Sequence, residues 1–349
     1  MPRLQQPKWL ILAASLCLFF SFLAALSVGS MSLSLWQSGQ GLATLLTPWQ
    51  FGDLSNMQLM VLQNLRLPRA LLAVFVGANL ALCGALLQGL LRNPLADPSI
   101  IGVSGGAAFG AAIAMFLAGI VVPQLTPLWQ EYWVASFAFT GGCLATFAVY
   151  RIGTGANGTS VVVMLLAGVA IAALAAAGIA ILTYLADDAL LRNITFWQLG
   201  SIAGANWQMV LLSGFASLLL LLSVPYSAKA LNAILLGESE ARHLGVNVQQ
   251  VKTRLIIITA LAVGIAVATS GMIGFIGLVI PHLIRLWLGA DHRYLLPLSA
   301  LLGACLLLLA DVAARVVIAP AELPVGVITG LIGAPFFIFL LLKQRRFMV

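Results

Sequence analysis

Charge is what this chain has least of. Only 8% of its 349 residues are charged, ten acidic against seventeen basic, while 62% are hydrophobic and the mean hydropathy is +1.07. That excludes a water-soluble domain, which could neither bury so much apolar surface nor solvate its exterior. Cysteine is down to four, Cys17, Cys83, Cys143 and Cys305, with no CxxC spacing. Neither a disulfide framework nor a cysteine metal site is indicated, which leaves them as small packing residues. The three histidines, His243, His282 and His292, are not at metal-ligand spacing, and no HExxH or Ser/His/Asp arrangement occurs. No catalytic residue and no metal site is therefore assigned, and an intramembrane enzyme is disfavoured. None of Lys8, Lys229, Lys252 and Lys343 follows a glycine, so the GxxxxGK[ST] phosphate loop is missing. A chain without it does not hydrolyse ATP itself. What remains is a conduit, powered by an ion gradient or by a separate protein.

The apolar residues run in stretches of roughly 20, rich in Leu, Ala and Gly, rather than in alternating strands of roughly 10. Helices are expected, not a barrel. Ten spans are predicted in one membrane domain covering 1–349: 9–31, 62–90, 99–120, 132–150, 161–185, 207–225, 251–270, 273–288, 296–318 and 327–342. Ser270, Gly271 and Met272 leave almost no loop between the seventh and eighth. Gly271, Gly274, Gly277 and Pro281 nevertheless favour a split there, because glycine and proline are poor helix-interior residues. Residues 9–31 are too long for a secretory signal core and lack a small-residue cleavage site, so they read as an uncleaved first span.

Lysine and arginine set the orientation. With ten spans, one side receives Arg3, Lys8, Arg92, Arg151, Lys229, Arg242, Lys252, Arg254, Arg285, Arg293, Lys343, Arg345 and Arg346; the other receives only Arg66, Arg69, Arg192 and Arg315. The richer side, with both termini, is expected to be cytoplasmic. The net charge of +7 then reflects topology, not nucleic-acid binding. On that same side, 229–250 and its surroundings form a polar island: 235–255 reads LLGESEARHLGVNVQQVKTRL, two short amphipathic pieces around Gly245. Such a segment is built to touch something outside the bilayer.

Three other places stand out. Residues 92–110 read RNPLADPSIIGVSGGAAFG, a proline-bounded turn before a span with a bare face at Gly102, Ser104, Gly105, Gly106 and Gly110. Those glycines either let helices approach or line a route. Asn93 and Asp97 can cap the helix that follows. Arg66, Arg69 and Arg315 are costly charges near span ends, needing a partner, water or a snorkelling path. Asp311 lies four residues before Arg315, the spacing of a helical ion pair that would make Arg315 structural.

The motifs RLPR (66–69), NPLADPSIIGVSGGA (93–107), LLGESEARHLGV (235–246), GFIGLVIPHLIR (274–285) and ELPVGVITGLIGAPFF (322–337) resemble the FecCD family across essentially the whole chain. These are permease subunits of bacterial binding-protein-dependent ABC importers for iron siderophores, haem and vitamin B12. The resemblance implies an all-α polytopic fold of ten transmembrane helices, that of the vitamin B12 importer or type II class. It also implies an inner-membrane homodimer with two ATPase subunits and a periplasmic binding protein. No cofactor is bound by the chain; ATP and Mg are used by the partner ATPase. The residues coupling to the ATPase are then Leu236, Gly237, Glu238, Glu240, Arg242 and Gly245. Asn93 and Leu95, with Thr159 and Ser160, match the cytoplasmic gate; helix capping is the other reading of Thr159 and Ser160. Arg66 and Arg315 match rim arginines that pair with glutamates on the binding protein.

Residues 183–207, TYLADDALLRNITFWQLGSIAGANW, are closest to haem permeases. A pathway role is assigned to Arg192, which can attract propionates or an anionic siderophore, and to Phe196 and Trp197, which can flank a flat ring system. Interfacial anchoring is the alternative for the aromatics. Haem is the expected cargo; a ferric siderophore or cobalamin is the alternative. A gradient-driven transporter is a further reading, and it would need paired mid-depth carboxylates, for which Asp311 alone comes close.

Overall fold

The protein is described by a computed structural model covering residues 8–29, 31, 33–49, 51–156 and 158–345. Arg3 and Arg346, counted above with the basic side, lie outside the described residues, as do both chain ends.

Helix α1 (Lys8–Ser27) is followed by a short amphipathic helix α2 (Leu35–Leu46). Helix α3 (Asn56–Val61) runs through one π-helical turn, Leu62–Arg66, directly into α4 (Leu67–Leu90). Both α2 and α3 begin with a reciprocal cap: Ser34 with Gln37 and Ser55 with Gln58 satisfy each other's free backbone N–H groups. Sequence reasoning had no element at α2, and it began the second span at 62 rather than 56. The apolar count there starts only where the polar first turns end.

Next come α5 (Val103–Val121) and α6 (Pro127–Gly153). A two-residue hairpin follows, β1 (Thr154–Gly155) paired antiparallel with β2 (Gly158–Thr159). It leads into α7 (Val161–Tyr184), then a short α8 (Asp188–Gln198) and a long α9 (Trp207–Leu236). A six-residue α10 (Glu238–His243) links α9 to α11 (Val248–Ser270). The chain closes with α12 (Ile276–Leu288), α13 (His292–Val316) and α14 (Val325–Arg345). Among the described residues, eight helices are long and apolar enough to cross a membrane, and Ile276–Leu288 and Val325–Phe339 are shorter apolar helices. Each of the ten predicted stretches holds one of them.

Helix α4 is the axis of the bundle, packed against α9, α11, α12 and α13. Along its apolar stretch 78% of residues are buried, against 22% for α1 and for α7. A helix apolar all round belongs inside, and α4 shows no preferred face for that reason. Backbone contact along α4 is closest where Gly84 meets the carbonyl of Gly277 on α12; a β-carbon on Gly84 would overlap that oxygen. The glycines at the start of α5 settle the choice left open above. Gly106 and Gly110 face the backbone of α6 at Gly141 and Phe137, and Gly105 faces Ala172 of α7, so they serve packing.

The predicted split falls where glycine allows it. Helix α11 ends at Ser270, Gly271 takes a φ of +67°, and Phe275 at φ +68° turns the chain into α12. The non-helical stretch between them is held by the turn after α8, where the Ser201 N–H donates to the Ser270 carbonyl at 2.7 Å. Helix α9 passes its predicted end at 225 by a further eleven residues to Leu236, carrying Pro225 inside it.

Candidate functional site

The polar island folds as a compact projection. Helix α10 begins at Gly237, whose φ of +131° suits glycine, and ends at Gly245, φ +81°, with Val246 N–H returning to the Ala241 carbonyl at 2.9 Å. Beneath it Ala241 packs with Ile234 of α9 and Val248 of α11, a small separate core that fixes α10 to both neighbours. Its outer surface carries Glu240, Arg242 and His243, flanked by Leu236 and Leu244, which are 68% and 64% exposed. Glu238 differs from the other residues expected to couple. Its carboxylate turns inward to the Lys252 ammonium at 2.7 Å, with Arg242 at 3.9 Å on its exposed side.

Thr159 lies against that ion pair. It is buried, its N–H donates to Gln249 Oε1 at 3.1 Å, its hydroxyl accepts from Gln249 Nε2 at 2.8 Å, and its carbonyl accepts from Lys252 Nζ at 3.1 Å. Ser160 is the N-cap of α7, its hydroxyl accepting from Val163 N–H at 3.5 Å. Capping thus holds for Ser160, while Thr159 is instead fastened to α11. The other gate pair is built differently. Asn93 accepts from Leu95 N–H at 2.9 Å in a local turn, leaving Leu95 exposed, and Asp97 rather than Asn93 caps the following helical turn, Pro98–Ile101. Among the described residues no hydrogen bond joins 93–95 to 159–160. The helical turn that follows 93–95 meets α7 where Gly168 approaches the Ile100 carbonyl.

A second anchor ties the far end of α9 to the bundle. Asn232 donates to Asp291 at 2.7 Å and accepts from His292 N–H at 2.9 Å. Burial alone would raise the Asp291 carboxyl, but the Arg293 N–H and the Asn232 amide hold it below the usual carboxylate range.

At the opposite end of the bundle the predicted rim arginines turn inward. Arg66 is buried and donates to the carbonyls of Leu26, at 2.6 Å, Ser27, at 3.0 Å, and Met31. Arg315 donates to Ala25 and Val28 carbonyls at 3.1 and 2.7 Å and pairs with Asp311 at 2.7 Å. Both guanidinium groups therefore cap the last turn of α1, whose end carbonyls have no helical partners and attract cations. An exposed docking role for either was the sequence expectation. In the structure their guanidinium groups are engaged with the end of α1 instead of projecting from the surface. Arg69 completes the cluster, bonding Asp311 at 2.8 Å and Glu322 at 2.9 Å. The i,i+4 pairing of Asp311 with Arg315 was visible in the sequence. The bond from Arg69, 242 residues away, was not.

On the same end, α8 is capped by Asp187 and exposes Arg192 and Phe196, while Trp197 is half-buried against the core. The turn after it, through Gly200, lies against Met272 and Gly326, where α11, α12 and α14 meet. Arg192 and Phe196 are thus free on the surface, and Trp197 is a packing residue.

Similarity to known proteins agrees with this architecture. The sequence profile of the FecCD transport family matches residues 17–343. The hemin transport system permease protein of Yersinia pestis is 47% identical over 284 residues, covering 81% of this chain and 83% of that one. The vitamin B12 import system permease protein of Vibrio vulnificus is 40% identical over 295 residues, covering 84% and 86%. A solved structure of an inward-facing ABC transporter assigned to the metal-chelate type superposes with a TM-score of 0.83 at 34% identity, covering 97% of this chain and all of that one. With fold and sequence both matched over most of their length, the chain belongs to the FecCD transport family and is the membrane-spanning permease subunit of an ABC importer.

Proposed function

We propose that the protein carries haem, or a related iron complex, from the periplasm to the cytoplasm by alternating access. It does so as a homodimer in a bacterial inner membrane, with two ATPase subunits below and a periplasmic binding protein above. The α10 end faces the cytoplasm, as the excess of basic residues there requires, and the termini lie on that side. The observation that carries this reading is α10 itself: a charged helix on its own small core, flanked by exposed Leu236 and Leu244, in a chain with no nucleotide site. ATP and Mg act on the partner, so force must enter through that contact.

Support for the homodimer comes from α7, whose exposed Ala170, Ala173, Ala177 and Ala180 follow helical spacing along one side. Small residues in a row let a second helix approach closely where lipid gains nothing from them. The docking of the binding protein is assigned to the surface around α8 and Glu322, since Arg66 and Arg315 are committed inward. A gradient-driven mechanism loses its one candidate, because Asp311 is already paired with Arg69 and Arg315.

Haem rests on the similarity to the hemin permease, and cobalamin is the second reading because vitamin B12 permeases match at 40% identity. The test is uptake into proteoliposomes holding the permease, its ATPase and its binding protein, with haem, a ferric siderophore and cobalamin compared. ATP-dependent accumulation of haem alone is the expected result. Accumulation of cobalamin alone would transfer the assignment.

A further inference from the structure

We infer that Lys252 and Gln249 form a latch that makes the hairpin 154–159 follow α10, so that a pull on α10 is delivered to Thr159 and the start of α7. This rests on the reading of α10 as the ATPase contact and names the residues that carry its movement inward.

The connection is continuous. Glu238, the first residue of α10, holds the Lys252 ammonium at 2.7 Å, and the same ammonium donates to the Thr159 carbonyl at 3.1 Å. One turn earlier on α11, Gln249 accepts from the Thr159 N–H and donates to its hydroxyl. That hydroxyl lies 3.0 Å from Thr154 Oγ1 across the hairpin. All three polar groups of Thr159 are therefore committed to two side chains of α11, one of which is also bonded to α10. Thr159 directly precedes Ser160, the cap of α7, so a displacement of one moves the other.

Burial turns the connection into a latch. The Lys252 side chain is 7% exposed, and a buried ammonium that loses its carboxylate is strongly disfavoured. If α10 moves away, Lys252 must follow Glu238, and Thr159 must follow or give up its bond. Room for the movement exists: a polar cavity of about 650 Å³ lies between hairpin and helix, lined by Ala156, Thr159, Glu238, Arg242, Gln249 and Lys252. The apolar underside of α10, at Ala241, packs against α9 and α11. Its sole hydrogen-bonded route to the hairpin, among the described residues, is this polar one.

The test uses the complete complex with its ATPase in nanodiscs, the native cysteines replaced. Spin labels are placed at Ser239→Cys on α10 or Ala156→Cys in the hairpin, each paired with Leu12→Cys on α1 as reference. Distances are measured without nucleotide and after trapping with ATP and vanadate. Both pairs should change in the parent and in Lys252→Arg, which keeps the charge and the donors. In Lys252→Met only the α10 distance should change, and haem taken up per ATP hydrolysed should fall about tenfold, the scale of one coupling contact. A hairpin that still moves in Lys252→Met overturns the latch while leaving the transport reading intact. If neither distance changes in the parent, α10 is not the point where force enters, and both fall. Should Lys252→Met fail to assemble, Glu238→Gln removes the ion pair at constant volume and carries the same two outcomes.

Discussion

The two ends of this bundle handle charge in opposite ways. At the Asp311 end, Arg69, Asp311 and Arg315 are withdrawn from the surface, and Arg66 and Arg315 finish α1 from within. At the α10 end, Glu240, Arg242 and His243 stand exposed on a helix that grips the bundle through Ala241 and the single Glu238–Lys252 pair. The first arrangement spends its charges on holding helices together, leaving few for a partner. The second keeps one carboxylate, Glu238, for holding its helix beside a small apolar core and presents its other charges outward. Rigidity at one end and availability at the other is the division expected of a subunit that is driven from one side.

Breaking the closed end should have the largest effect. Asp311→Asn leaves buried Arg315 without a carboxylate and Arg69 with Glu322 alone, and should lower stability by about 3–5 kcal/mol, the range for removing one partner of a buried pair. Thermal unfolding in detergent, followed by size-exclusion fluorescence, would show it; an unchanged midpoint would mean that water already solvates the cluster. Arg66→Met removes the donors to three carbonyls at and just after the end of α1 and should cost about 1.5–3 kcal/mol in the same assay, with α1 becoming protease-sensitive first.

The open end should respond in assembly instead. Arg242→Glu should cut the ATPase that co-purifies by about tenfold, one interface contact's worth, without moving the unfolding midpoint. A parallel loss of stability would erase the contrast drawn here. Smallest of all, Glu322→Gln should change stability by less than about 1 kcal/mol, since that carboxylate is 41% exposed and screened. Its effect should be seen, if anywhere, in capture of the binding protein.

How far these ends were legible depended on chain distance. The ten apolar stretches, the break at Gly271 and the α10 island are local patterns of composition and turn chemistry, and the sequence displays them directly. So is the Asp311–Arg315 pair, one helical turn apart. Arg66 reaching Leu26 across 40 residues, or Gln249 reaching Thr159 across 90, obeys no spacing rule. An arginine near a span end looks the same whether it faces water or an orphan carbonyl, and only packing decides. Helix α2 escaped notice because its Gln and Gly residues dilute the apolar signal that marks a span, although Ser34 and Gln37 spell out its cap.

The length of α9 has a consequence for the lipid. At thirty residues it measures about 45 Å, the full thickness of a bilayer with its headgroups rather than the roughly 30 Å of hydrocarbon alone. Helix α10 is thereby set down where the headgroups end. A protein seated on it touches Leu236 and Leu244 without displacing phospholipid, so its grip should be indifferent to which lipids surround the bundle.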